Sequence, residues 1–224
     1  MYAGANMGHP SPSGNDGRFM EEFAMGSTSR DQAFDAGSQS ILWKNREATR
    51  LTNGVVELVA LTSGGHLAEF RLLAHNGDAS PNTLWEAPWP TFDPGERAAD
   101  DLPASYGPVE ARKFFASYTG HCLCLDYFGG PNAEQAAAGC SVHGEAPNTR
   151  WNLFSTGVPG EALARWKVEL PLAHLGFERE IRLGVGESVA NVRETVSNES
   201  GADCSSPQDG SAPRKPISRR SRKL

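Results

Sequence analysis

The sequence predicts an all-β fold, an antiparallel β-sandwich, and three observations carry the prediction. From Ile41 onward, short apolar runs recur between Gly, Pro, Asn and Asp residues, as strands do between turns. Several of those runs alternate apolar and polar residues with a period of two. Helical patterning is confined to Glu134–Ala138 (EQAAA), room for only a turn or two.

Taken in chain order, residues 1–40 are expected to form a flexible arm. Met1–Gly17 is Gly, Ser, Pro and Asn with almost no aliphatic side chain, so it cannot bury enough surface to offset its ordering entropy. Arg18–Met25 (RFMEEFAM) has the length of a short helical turn and lacks a cap. The folded domain is expected over residues 41–200. Val55–Leu61 (VVELVAL) follows the turn dipeptide Asn53-Gly54, and Gly64-Gly65 leads into His66–Leu73 (HLAEFRLL), so the two runs read as a hairpin. Trp85–Pro108, rich in Pro and acidic residues, reads as a long irregular loop, a kind of segment that is usually functional or disordered. His121–Phe128 (HCLCLDYF) alternates and is expected as a strand ending at Gly129-Gly130.

The clearest strand signal is Ala162–Leu172, with Ala164, Trp166, Val168, Leu170 and Leu172 on one face and Arg165, Lys167 and Glu169 on the other. Pro171 marks an edge or an end. Phe177, Arg179, Ile181 and Leu183 alternate with charged residues, and Ser188–Ser197 (SVANVRETVS) follows the turn Gly184–Glu187. Beyond Ser200 periodicity vanishes. Cys204–Leu224 holds one β-branched aliphatic residue, Ile217, and no aromatic one; residues 201–224 are therefore expected to be a disordered tail that adds no strand.

That tail also divides the charge. The chain has 21 Lys and Arg, 27 Asp and Glu, and a formal net charge of −6. Cys204–Leu224 accounts for six of the basic residues and for one acid, Asp209, which leaves 15 basic and 26 acidic residues before it. A body at −11 therefore carries a tail at +5. A basic tail without interleaved aromatics, on an acidic body, argues against specific nucleic-acid binding. No run of about 18 apolar residues suits a membrane helix. The N-terminus lacks a basic segment followed by an apolar stretch, and four Cys are too sparse for a disulfide scaffold, so a cytoplasmic protein is expected.

Three groups of residues could carry chemistry. Ser141–Ala146 (SVHGEA) puts His143 on a turn whose Gly144 lets the backbone approach a ligand, and Glu145 could orient the imidazole or accept a hydroxyl hydrogen bond. A polar turn residue without a role would look the same. Pro81–Thr91 (PNTLWEAPWPT) combines Trp85 and Trp89 with Asn82 and Glu86, a set suited to stacking on sugar C–H faces and reading hydroxyls. Core anchoring is the plain alternative for both indoles. His121, Cys122, Cys124 and Asp126 lie in one predicted strand, but no second ligand pair accompanies them, and zinc wants four ligands. Buried cysteines are the simpler account, and no metal is expected. His9, His66, His75 and His174 stand singly and read as structural or solvated. Phosphate-binding loops, dinucleotide fingerprints and the Gly-x-Ser-x-Gly elbow are absent from the sequence.

In sequence order these segments resemble the first part of a galactose mutarotase-like (aldose 1-epimerase superfamily) domain, from Asn53 to Ser200. The hairpin VVELVALTSGGHLAEFRL resembles that family's opening strands, Asn82–Trp89 its sugar-facing loop, His143-Gly144 its His-Gly turn, and Trp151–Asn198 the middle of its sandwich, which usually ends in V-x-N-x-S. The resemblance implies the family's supersandwich fold and its cofactor-free interconversion of aldose anomers. A carboxylate takes the anomeric hydroxyl proton, a His protonates the ring oxygen, and ring opening, rotation and closure follow. His143 matches the family's first His and is the candidate catalytic residue. Asn82, Trp85, Glu86, Trp89, Asp126 and Glu145 are the candidate sugar-binding residues, and a monosaccharide is the expected partner.

The family's second His and its catalytic Glu lie downstream of the N-x-S strand. After Ser200 this sequence has neither, its only acids there being Asp203 and Asp209. The expectation is a truncated or frame-shifted chain, impaired in catalysis, with Cys204–Leu224 foreign to the fold. The rival readings are a non-catalytic carbohydrate-binding sandwich and a metal-dependent barrel built on His121, Cys122, Cys124 and His143.

Overall fold

Nine strands in two antiparallel sheets make up the computed structural model, which describes residues 36–74, 78–125 and 127–200 and the backbone of 220–223. The described residues belong to one compact unit that starts at Gln32. The first sheet has the order β1 (Gly37–Trp43), β2 (Arg46–Thr52), β3 (Val56–Leu61), β4 (Leu67–Leu72). The second runs β5 (Asn152–Thr156), β6 (Ala162–Leu170), β7 (Leu175–Leu183), β8 (Ala190–Asn198), β9 (Arg220–Lys223). Within each sheet, strands adjacent in sequence pair with one another, and short turns link β1 through β4 and β5 through β8.

The turns explain the register. Lys44 and Asn45 both take positive φ, 46° and 67°, the two-residue geometry that matches strand twist. At the β2–β3 turn the Asn53 side chain accepts from the Val55 and Val56 amides at 3.0 and 2.9 Å. Its amide group donates to the carbonyls of Gly184 and Glu187 in the β7–β8 turn, so one residue fastens the two sheets together at that end. Gly65, at φ 58°, lies against the Trp151 ring where any Cβ would collide with the indole.

The core lies between the sheets. Leu51, Val56, Leu58, Ala60 and Leu67 of the first face Trp166, Val168, Phe177, Ile181 and Val192 of the second, with Trp151 among them. β3 is buried on both faces, because Trp43, Ala48, Val59, Leu61 and Ala68 form a smaller apolar cluster on the far side. The expected hairpin and the strands β6 to β8 are present in the expected alternation, and β6 ends at Leu170, before Pro171, which leaves Leu172 outside the strand and half-exposed. Glu134–Ala138 corresponds to the short helix α2 (Ala133–Ala137), capped by Asn132 and Gln135 in a reciprocal capping box.

Two expectations need correction. His121–Phe128 is not a strand: only His121 bridges Leu67, and the described residues that follow are irregular. Its alternation reflects half-burial along a loop rather than a place in a ladder. The tail does contribute a strand, since Arg220–Lys223 pairs antiparallel with Asn191–Glu194 of β8. Edge pairing is made by backbone groups and needs no apolar side chain, so composition missed it. The helix α1 (Val109–Ser117), which follows the irregular segment 85–108, was also not expected. Among the described residues, no helix is long and apolar enough to cross a membrane. The segments Met1–Gly17 and Arg18–Met25 lie outside the described residues.

Candidate functional site

The segment 85–97 folds back over the β1–β2 turn and encloses a cleft of about 670 Å³. Trp43, Trp89 and Phe92 give it aromatic walls, while Lys44, Glu86, Glu96 and Arg97 bring charge to it. Arg46, at the start of β2, braces this fold-back. Only 2% exposed, it donates to the Asp93 carboxylate at 2.7 Å, the Thr91 hydroxyl at 3.3 Å, and the carbonyls of Ser117 at 2.8 Å and Ser63 at 3.4 Å. Burial lowers its pKa, opposed by Asp93. Lys44 and Glu86 form an ion pair across the cleft, and the Arg97 guanidinium lies over the Phe92 ring at 4.0 Å. Thr119 also lines the cleft; it is fully buried, and its hydroxyl has no hydrogen-bond partner among the described residues. Aromatic faces beside a few polar groups suit a ligand that is apolar on its faces and polar at its rim.

Of the residues singled out in the sequence, Glu86 and Trp89 line this cleft. Trp89 is 40% exposed, and its indole N–H donates to the Phe115 carbonyl at 3.2 Å. Trp85, 46% exposed, stands edge-on to Trp89 and stacks on Tyr118 with centroids 5.1 Å apart. Asn82 has another occupation. Its side-chain oxygen accepts from the Phe70 and Leu84 amides, both at 3.1 Å, and its amide donates to the Ala68 carbonyl at 2.9 Å, which covers the outer edge of β4. Asp126 lies outside the described residues.

His143 sits on a strained turn, at φ 63°, followed by Gly144 at φ 84°. A Cβ at Gly144 would collide with the Leu125 carbonyl oxygen, so this close approach requires glycine. The Gly129 amide donates to His143 Nδ1 at 3.2 Å, which puts the proton of the neutral ring on Nε2. Phe114 and Phe128 flank the imidazole at 4.5 and 4.6 Å, and burial lowers its pKa, so the ring is neutral at pH 7. The Glu145 carboxylate accepts from the Ala173 amide at 2.8 Å instead of orienting His143.

His143 and the tryptophans therefore do not converge on one cavity. A row of rings joins them: Trp89, Trp85, Tyr118, Phe114, His143 and Phe128, with successive centroids between 4.5 and 5.9 Å apart. Arg46, Thr119, Phe114 and Tyr118 went unread in the sequence. A charged residue directly after a two-residue turn looks solvated, and the aromatics of α1 come from a helix that the sequence did not announce.

Cys122 and Cys124 face each other with sulfurs 3.8 Å apart, and burial pushes the Cys122 thiol up to about 12. Among the described residues, no group of three or more His, Cys, Asp or Glu could hold a metal ion. His66 is fully buried, between the Thr119 amide and the Pro147 carbonyl.

No family model and no curated protein matches the chain. Solved structures do resemble it in part. A proposed mutarotase (YeaD) from Salmonella typhimurium aligns at a TM-score of 0.49 and 14% identity, covering 72% of this chain and 47% of that one. A galactose mutarotase-like protein from Clostridium acetobutylicum aligns at 0.38 and 15%, covering 71% and 49%. The chain spans about half the length of the solved structures it matches. The described chain is an all-β, two-sheet antiparallel sandwich.

Proposed function

We propose that this chain binds a free aldose in the cleft beside Trp89 and, on its own, interconverts the anomers of that sugar poorly or not at all. The observation that carries the reading is the cleft itself, where Trp43, Trp89 and Phe92 stand beside the Lys44–Glu86 pair, Glu96 and Arg97. A pyranose offers C–H faces to stack on such rings and hydroxyls for such polar groups.

Weak turnover follows from the separation of groups. Anomer interconversion needs an acid and a base acting on one sugar. His143 lies along the ring row from Trp89, outside the lining of the cleft, and at neutral pH it offers an Nε2–H hydrogen bond rather than an imidazolium proton. Glu145, the carboxylate nearest to it in sequence, is held by the Ala173 amide.

Calorimetric titration of glucose and galactose into the wild type and the Trp89→Ala variant tests the binding site. Saturable binding that weakens about tenfold or more in the variant, roughly 1.4 kcal/mol, is expected. Equal binding by both proteins, or none by the wild type, would overturn the reading.

A further inference from the structure

The pair Cys122 and Cys124 is not used by the proposed sugar site, and its geometry points to a chemistry of its own. The two sulfurs lie 3.8 Å apart, both side chains are half-buried, and neither cysteine is in a disulfide. Residues two apart span at most roughly 7 Å, the outer limit of the Cα separations that disulfides bridge. Bond formation draws the sulfurs from 3.8 Å to about 2 Å, which pulls this segment together. A strand locked in a ladder would resist that contraction, but Cys122–Leu125 lies in irregular chain beyond the single His121–Leu67 bridge.

We propose that Cys122 and Cys124 form a dithiol modification site that a peroxide converts to an intramolecular disulfide. Cys124 sulfur attacks one peroxide oxygen, the O–O bond breaks, and Cys124 becomes a sulfenic acid as the first water leaves. The Cys122 sulfur then attacks the Cys124 sulfur, the S–O bond breaks, and a second water carries off the Cys122 proton. Two thiols are oxidised and one hydrogen peroxide is reduced to two waters. Burial holds the Cys122 thiol protonated, so it is not the thiolate that meets peroxide first; its sulfur, 3.8 Å from that of Cys124, is placed for the second step and gives up its proton as the S–S bond forms.

The site adjoins the His143 turn. Leu125 supplies the carbonyl against which Gly144 packs, Tyr127 donates to the Ser141 carbonyl, and Gly129 holds His143 Nδ1. Contraction at Cys122–Cys124 therefore acts on the segment that positions the imidazole.

The test uses the full chain with Cys140→Ser and Cys204→Ser, which leaves only the pair. Tryptic cleavage after Lys113 and Arg150 places both thiols in one peptide, residues 114–150. After stoichiometric hydrogen peroxide that peptide should be lighter by two hydrogens and resist alkylation until dithiothreitol is added, and the His143 imidazole resonances should move reversibly with it. Full alkylation of both cysteines after peroxide, or oxidation that stops as sulfinic acid on one of them, would overturn the site. A disulfide that leaves the His143 resonances unmoved would overturn the coupling.

Discussion

His66 shows how one residue can set the acid tolerance of the domain. Its ring is fully buried between the Thr119 amide and the Pro147 carbonyl, and burial, with the nearby Arg46 charge, lowers its pKa to about 3. The unfolded imidazole takes a proton near 6.5, the folded one only near 3. Between those values the unfolded chain binds more protons, so this residue's contribution to stability is complete above pH 6.5 and falls as pH drops toward 3. The expected loss is on the order of a few kcal/mol. Chemical denaturation of the wild type and His66→Gln at pH 7 and pH 4 checks it: the wild type should lose much more stability on acidification than the variant, and parallel losses would remove His66 as the cause. His143 differs in kind, because it is half-buried and its strained turn aims the Nε2–H outward from the Gly129 contact. The sequence made His143 visible through its Gly neighbour. It could not show that Glu145 would turn away to Ala173, since that depends on a loop 28 residues further on.

At the scale of elements, what could be read in the sequence follows solvent exposure. Strands β6 to β8 alternate cleanly because one face of each meets the core and the other meets water. β1 and β2 escaped notice because their sequences, GSQSILW and REATRLT, are mostly polar, and because their turn is Lys44-Asn45 rather than Asn-Gly. The cleft was half legible for the same reason: Glu86 and Trp89 stand out in a Pro-rich loop, whereas Arg46 belongs to a strand that looked like surface. Asn82 looked like a sugar ligand and acts as an edge cover, supplying β4 with side-chain hydrogen bonds in place of another strand. Asn82→Ala should therefore cost about 1–3 kcal/mol and expose the amide of Phe70. Hydrogen exchange reads this directly, with faster exchange at Phe70 and Leu84 expected and unchanged protection at both counting against the edge-cover role.

At the scale of the whole molecule, the two sheets are tied together by polar residues as well as by the apolar core. Arg179 of β7, only 2% exposed, pairs with Glu194 of β8, donates to the Gly65 carbonyl at 2.6 Å in the β3–β4 turn, and lies over the Trp151 ring at 4.7 Å. It shares the core-facing side of β7 with Phe177, Ile181 and Leu183, a position that would suit an apolar side chain. Removing it leaves Glu194 and the Gly65 carbonyl without their partner, so Arg179→Ala should destabilise the fold by about 3 kcal/mol or more. Thermal unfolding checks this, and a melting temperature within a degree or two of wild type would show that the sheets hold together without it.

The same scale frames the functional claim, a cleft for an aldose on one side of a row of aromatic rings and a neutral His143 near the other end. A single NMR experiment on galactose at anomeric equilibrium reads both halves of that claim. Saturation of protein resonances should transfer to the sugar C–H protons, while α–β exchange stays at the rate of buffer alone. Absence of transfer would contradict the binding site, and exchange accelerated well above buffer would contradict the separation of binding from catalysis.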